Sequence, residues 1–162
     1  GIVINAAATD IVTLSGLDIE GLSKAGVAGL SGIKVITAER VFVNNCSIRN
    51  FSVAGIEIAP TTNATRVEID NVRLTNTQSG VFINGATKSG PPNISNAGLA
   101  GHKGAASNVD GIGPKAGVNS NVISGNALAF QTANSAKIVT LSNNMVGNNT
   151  ADGVTTDILA PK

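Results

Sequence analysis

The stretch Val41-Phe42-Val43-Asn44-Asn45-Cys46-Ser47-Ile48-Arg49-Asn50-Phe51 decides how this chain folds. Alternation of period two places Val41 and Val43 on one face of a strand, and Cys46 and Ile48 on one face of the next. The apolar residues flanking Asn45 are three apart rather than two, so the chain must bend there. Asn45 and Asn50 stand at the two bends, and Asn and Gly tolerate a left-handed backbone better than other residues.

Working outward, the same template recurs along the chain. Its anchor is Gly16, Asn45, Asn71, Asn96, Ser120 and Asn143, at steps of 29, 26, 25, 24 and 23 residues. Two positions before each anchor stand Leu14, Val43, Ile69, Ile94, Val118 and Leu141; three positions after it stand Ile19, Ile48, Leu74, Leu99, Ile123 and Val146. Five positions after it only Gly or Asn occurs: Gly21, Asn50, Asn76, Gly101, Gly125 and Asn148. A second strand begins with Gly in Gly1-Ile2-Val3-Ile4, Gly32-Ile33-Lys34-Val35, Gly55-Ile56-Glu57-Ile58 and Gly80-Val81-Phe82-Ile83, weakens at Gly111-Ile112-Gly113-Pro114 and returns at Gly153-Val154. Each repeat therefore reads strand, corner, strand, corner, strand. One such unit cannot bury its apolar side alone, so successive turns must stack like above like.

Composition agrees. The 162 residues are 42% hydrophobic but only 2% aromatic, which leaves thin aliphatic layers as the means of filling a single domain. Eleven basic residues against ten acidic ones give no electrostatic excess to attract nucleic acid or an anionic membrane, and four Phe cannot supply base-stacking platforms. No apolar run is long enough to insert in a membrane. One cysteine excludes an internal disulfide framework; Cys46 shares its template position with Leu17, Val72 and Ala97 and reads as a small buried hydrophobe. The chain opens at Gly1 without an initiator Met or signal-peptide pattern, and a fragment of a longer chain is expected.

These residues resemble the right-handed parallel β-helix family, the superfold of pectate lyases, polygalacturonases, phage tailspikes and many bacterial repeat proteins, and residues 41–51 look most like a rung of the last group. The resemblance covers nearly the whole chain. It implies an all-β, right-handed parallel β-helix (β-solenoid) of about six rungs, spanning 1–162, from a secreted or cell-surface bacterial protein. It implies polysaccharide as the ligand class, but fold alone does not assign chemistry.

The anchor Asn residues are expected to form a hydrogen-bonded ladder at about 4.8 Å spacing rather than a metal or sugar site. Glu20 lies one rung below Arg49, and Lys34 one rung below Glu57, which predicts cross-strand ion pairs. Glu68 and Asp70 point outward about 7 Å apart, a separation compatible with the paired carboxylates of an inverting glycosidase, with Arg66 assisting. Three insertions, 23–31, 84–92 and 102–110, interrupt the compact repeat. The first and third leave the same corner and would bring Lys24, His102, Lys103 and Asp110 to one groove for a ligand, while the second adds Lys88. Asn108-Val109-Asp110 resembles only the first element of the polygalacturonase motif set; no Asp-Asp follows, and Gly101-His102-Lys103 precedes it. No acidic cluster suits the calcium of a pectate lyase, so neither metal nor cofactor is expected.

The leading expectation is a noncatalytic structural or binding module contacting polysaccharide. Its rivals are a polysaccharide lyase or hydrolase using Glu68, Asp70 and Arg66, and a solenoid segment that self-associates end to end.

Overall fold

The computed structural model describes residues 1–22, 28–61, 65–85, 91–111 and 115–158. All regular structure among them is β. The first rung consists of β1 (Ile2–Asn5), β2 (Ile11–Ser15) and β3 (Asp18–Glu20), the second of β4 (Ser31–Thr37), β5 (Arg40–Asn44) and β6 (Ser47–Arg49), and the third of β7 (Ala54–Ile58), β8 (Arg66–Asp70) and β9 (Arg73–Thr75). The fourth holds β10 (Ser79–Asn84), β11 (Asn93–Ser95) and β12 (Gly98–Ala100), the fifth β13 (Ala105–Asp110), β14 (Lys115–Asn119) and β15 (Val122–Ser124). The sixth holds β16 (Leu128–Ala133), β17 (Lys137–Thr140) and β18 (Met145–Gly147), and a short β19 (Asp157–Ile158) follows.

Like strands stack into three parallel sheets. The first has the order β1-β4-β7-β10-β13-β16, the second β19-β17-β14-β11-β8-β5-β2 and the third β18-β15-β12-β9-β6-β3. The molecule is a parallel β-solenoid with five full turns between β1 and β16. Among the described residues, no helix is long and apolar enough to cross a membrane.

Rung upon rung, the pairing places Val43 beside Ile69, Ile69 beside Ile94, and Ile48 beside Leu74. All five are essentially sealed from solvent, Ile48 and Leu74 at 0% exposure. Burying each such side chain contributes about 1.5–3 kcal/mol, and repetition of the aliphatic rows is what holds the coil closed. The corners bend where the sequence predicts: Asn45, Asn71, Asn96 and Ser120 have φ of 51–55°, and Asn50, Asn76, Gly101, Gly125 and Asn148 also have positive φ. The Gly at the head of the first-sheet strands has a packing reason. A Cβ at Gly32 would lie 2.3 Å from Ile48 Cγ2, and one at Gly80 would lie 2.8 Å from His102 Nε2, so the column must be small to admit side chains from across the core.

Three sequence expectations are corrected. In the last rung the left-handed residue is Ser142 rather than Asn143, so Thr140 takes the inward place (5% exposed) and Leu141 faces solvent at 41%. Gly111 ends a strand instead of opening one. The fifth and sixth first-sheet strands, β13 and β16, carry Ala106 and Ala129 at the Gly column, and the outward row Lys34, Glu57, Phe82 continues with Asn108 and Gln131. The stretch 102–110 is not an inserted loop, because most of it is β13.

Candidate functional site

The second and third sheets meet at the anchor residues, and a groove of about 550 Å³ follows that corner. Gly16, Asn45, Asn71 and Asn96 line it along the bend, and Asp18, Ser47, Arg73, Gly98 and Val122 line it from the third sheet. Four steps between the first rung and the fifth give it a length of about 19 Å at normal strand spacing. The groove exists because residues leaving the corner outward are short: Ser47, Gly98, Ala100 and Ser124 alternate with the buried Ile48, Leu99 and Ile123.

Its anchor amides are pre-ordered: Asn71 Nδ2 donates to Asn45 Oδ1 over 2.7 Å, and Asn96 Nδ2 donates to Asp70 Oδ1 over 2.7 Å. At the next corner, outside the groove, Asn76 Nδ2 donates to Asn50 Oδ1 over 2.7 Å. The expected ladder is therefore present in pairs, with a carboxylate substituting for one amide. At the first-rung end, Arg49 bridges Asp18 and Glu20, with 2.9 Å to the latter. Lys34 and Glu57 pair over 2.8 Å on the first sheet, so both ion pairs read from the sequence are formed. Arg73, exposed in the groove, belongs to no ion pair among the described residues. Sequence reading passed it over because its importance lies in the groove and not in any motif.

Arg66, Glu68 and Asp70 alternate along β8 and face outward from the second sheet. Glu68 is exposed, whereas Asp70 Oδ1 accepts from Ser95 Oγ at 2.9 Å and from Asn96 Nδ2, which ties that carboxylate to the corner above it. Arg66 stacks in register on Arg40.

The other expected ligand residues do not converge. Lys24 and Lys88 lie outside the described residues. Lys103 and Asp110 stand near opposite ends of β13, and Asp110 Oδ1 accepts from Asn134 Nδ2 at 2.7 Å. His102, expected at the rim of a groove, is 2% exposed and turned inward, with Nδ1 2.9 Å from Thr77 Oγ1 and no partner for Nε2 among the described residues. Burial away from water lowers its pKa to about 4, so the imidazole is neutral over the physiological range. The template explains the placement: six positions past the second to fifth anchors stand Phe51, Thr77, His102 and Asn126, all buried.

Cys46 is buried too, its thiol directed at the Asn44 carbonyl 3.2 Å away. Among the described residues no three His, Cys, Asp or Glu side chains gather to hold a metal ion. Compared with known proteins, the chain matches no family model, no curated protein and no solved structure at significance.

Proposed function

We propose that this chain is a noncatalytic binding module of a right-handed parallel β-helix, whose outward faces contact polysaccharide at a bacterial surface or in the secreted fraction. The observation that carries the reading is the axis-parallel corner groove, open along several rungs and edged by Asn, Ser and Arg side chains. A long shallow furrow with regularly repeated hydrogen-bonding groups suits an extended, hydroxyl-rich polymer better than a compact metabolite, which favours an enclosing pocket. Rigid sheets hold those groups in place, so little ordering cost is incurred on binding.

The test is a panel of linear glycans, read both for binding and for cleavage. Binding without release of reducing or unsaturated ends is the expected result. Turnover of any uronic-acid polymer would overturn the noncatalytic reading and favour its rival, in which Glu68 and Asp70 act as an acid–base pair beside Arg66. The alternation of those three residues on β8 is what favours that rival. In it, Glu68→Gln abolishes turnover with unchanged unfolding; turnover that survives the substitution removes the pair from consideration.

A further inference from the structure

The sequence holds a single Asn-Gly pair, Asn84-Gly85, and Asn84 closes β10. Every other asparagine is followed by a residue with a Cβ, often branched or bulky, as in Asn50-Phe51, Asn71-Val72 and Asn93-Ile94. Many of those asparagines also have their amides engaged, Asn71 and Asn96 in the anchor row and Asn121, Asn126, Asn144 and Asn149 in the upper corners. Asn84 is exposed, and its side chain has no hydrogen-bond partner among the described residues. The main chain there is loosely held. Ser79 N at the head of β10 donates to the Val53 carbonyl over 2.9 Å, whereas Gly85 N donates to the Asp110 carbonyl over 3.3 Å, beyond the usual range for such a bond. Strand ends open at low free-energy cost, and a glycine has no Cβ to hinder an approach to its own nitrogen. Asn84 pairs in register with Asp110, whose Oδ1 accepts from Asn134 Nδ2 at 2.7 Å.

We propose that Asn84 is a self-modification site, at which the folded chain converts its own side-chain amide to a carboxylate by way of a cyclic imide. Gly85 N loses its proton to solvent hydroxide and bonds to Asn84 Cγ; the Cγ–Nδ2 bond then breaks, and ammonia leaves with a proton taken from water. Water opens the ring. Breaking the new bond between Gly85 N and Cγ gives an ordinary aspartate, while breaking the bond between Gly85 N and the main-chain carbonyl carbon gives isoaspartate, which routes the backbone through the side chain. Ammonia is exchanged for water, and neither oxidant nor reductant takes part. One added carboxylate takes the formal net charge from +1 to 0. The new charge stands opposite Asp110 on the adjacent strand, where like charges destabilise a sheet, and isoaspartate lengthens the backbone and so disturbs the β10–β13 register. The site thus acts as a slow timer that loosens the fourth rung from the fifth, whatever ligand the corner groove takes.

The experiment incubates the folded chain in mildly alkaline and in mildly acidic buffer at physiological temperature, then applies peptide mass mapping and an isoaspartate-specific methylation assay. Expected are conversion at Asn84 that is severalfold faster in the alkaline buffer, a matching acidic band on isoelectric focusing, and intact amides at Asn71, Asn96, Asn121 and Asn126. Gly85→Ala slows the conversion severalfold, because a Cβ then crowds the attacking nitrogen. Asn84→Gln, at an exposed position, removes the acidic band by demanding a larger ring and leaves the unfolding midpoint unchanged. Asn84→Asp lowers that midpoint, and adding Asp110→Asn restores most of the loss. Ammonia released mainly from the other asparagines, or conversion at Asn84 only after urea has unfolded the chain, would overturn the proposal. An acidic band that persists at the same rate in Asn84→Gln would overturn it as well. An Asn84→Asp chain as stable as the parent would overturn the loosening of the two rungs.

Discussion

The lower and upper rungs fill the same corner columns with opposite chemistry. Just past the anchor, the second, third and fourth rungs bury Cys46, Val72 and Ala97, while the fifth buries Asn121 and the sixth places Asn144 there. The upper solution is a chain of amides. Asn121 Oδ1 accepts from the Ala97 N–H at 2.8 Å, its Nδ2 donates to the Ile94 carbonyl at 3.0 Å, and Asn144 repeats the pattern by accepting from the Asn121 N–H and donating to the Val118 carbonyl. At the next corner Phe51 in the second rung is answered by Asn126 in the fifth, which accepts from the His102 N–H and donates to the Leu99 carbonyl. One backbone thus accepts two corner designs: apolar filling, which gains from burial alone, and buried amides, which are tolerable only because each donor and acceptor finds a partner. Between them sit Thr77 and His102, polar side chains in an intermediate setting where Nε2 of the imidazole has no partner among the described residues.

This contrast can be broken most sharply at Asn121. Asn121→Leu keeps the size but removes the side-chain partners of the Ala97 N–H and the Ile94 carbonyl and one of the two donors to Asn144 Oδ1, and a loss of about 3 kcal/mol in urea unfolding is expected. A leucine variant as stable as the parent would show that apolar filling works equally well in the upper rungs.

His102 supplies an effect of similar size that depends on pH. Its folded pKa of about 4 lies below the ordinary 6.5, chiefly because burial disfavours the charged ring, so the unfolded chain binds the proton more readily. Stability from this residue is fully present above pH 6.5, falls as the pH drops from 6.5 to 4, and changes no further below that; the total is about 3 kcal/mol. His102→Asn, which copies the residue found one rung above, removes that part of the acid dependence when denaturation is compared at neutral pH and near pH 4.5. An unchanged difference between the two pH values would place the titration elsewhere.

A smaller gain is expected from Ala97→Asn, which extends the amide column one rung down toward the Val72 N–H and Ile69 carbonyl and stabilises by about 1 kcal/mol. A loss of that size instead would mean that the lower corners are too tightly filled for amides. Smallest of all, Cys46→Ser keeps a donor toward the Asn44 carbonyl and shifts the unfolding midpoint by less than about 1 kcal/mol.

Much of this architecture was legible before folding was considered. Hydrophobic alternation around Asn45, Asn71 and Asn96 marked strands and bends, because a left-handed corner residue and period-two burial are local properties of the chain. The Glu20–Arg49 and Lys34–Glu57 pairs were legible because the members of each hold the same place in their repeats, four past the anchors Gly16 and Asn45 and two past Gly32 and Gly55. Legibility failed where the left-handed residue departs from the template. Between Ser120 and Ser142 the rung is 22 residues, and one extra residue then enters the following corner, so the template placed Leu141 in the aliphatic row, whereas Thr140 takes the inward place and Leu141 faces solvent. Likewise Gly111 drew attention away from β13 and β16, whose heads carry Ala106 and Ala129 in place of glycine.

The sequence by itself determined the repeating unit, the positions of the corners and the aliphatic rows, all of which arise from neighbours a few residues apart. Only the tertiary structure decided which residues stand above one another. It set Asn84 opposite Asp110, opened the groove along the anchor residues, and turned His102 into the core. The physical reason is that contacts between rungs depend on the number of residues in each turn, and that number varies until hydrogen bonding between strands sets the register.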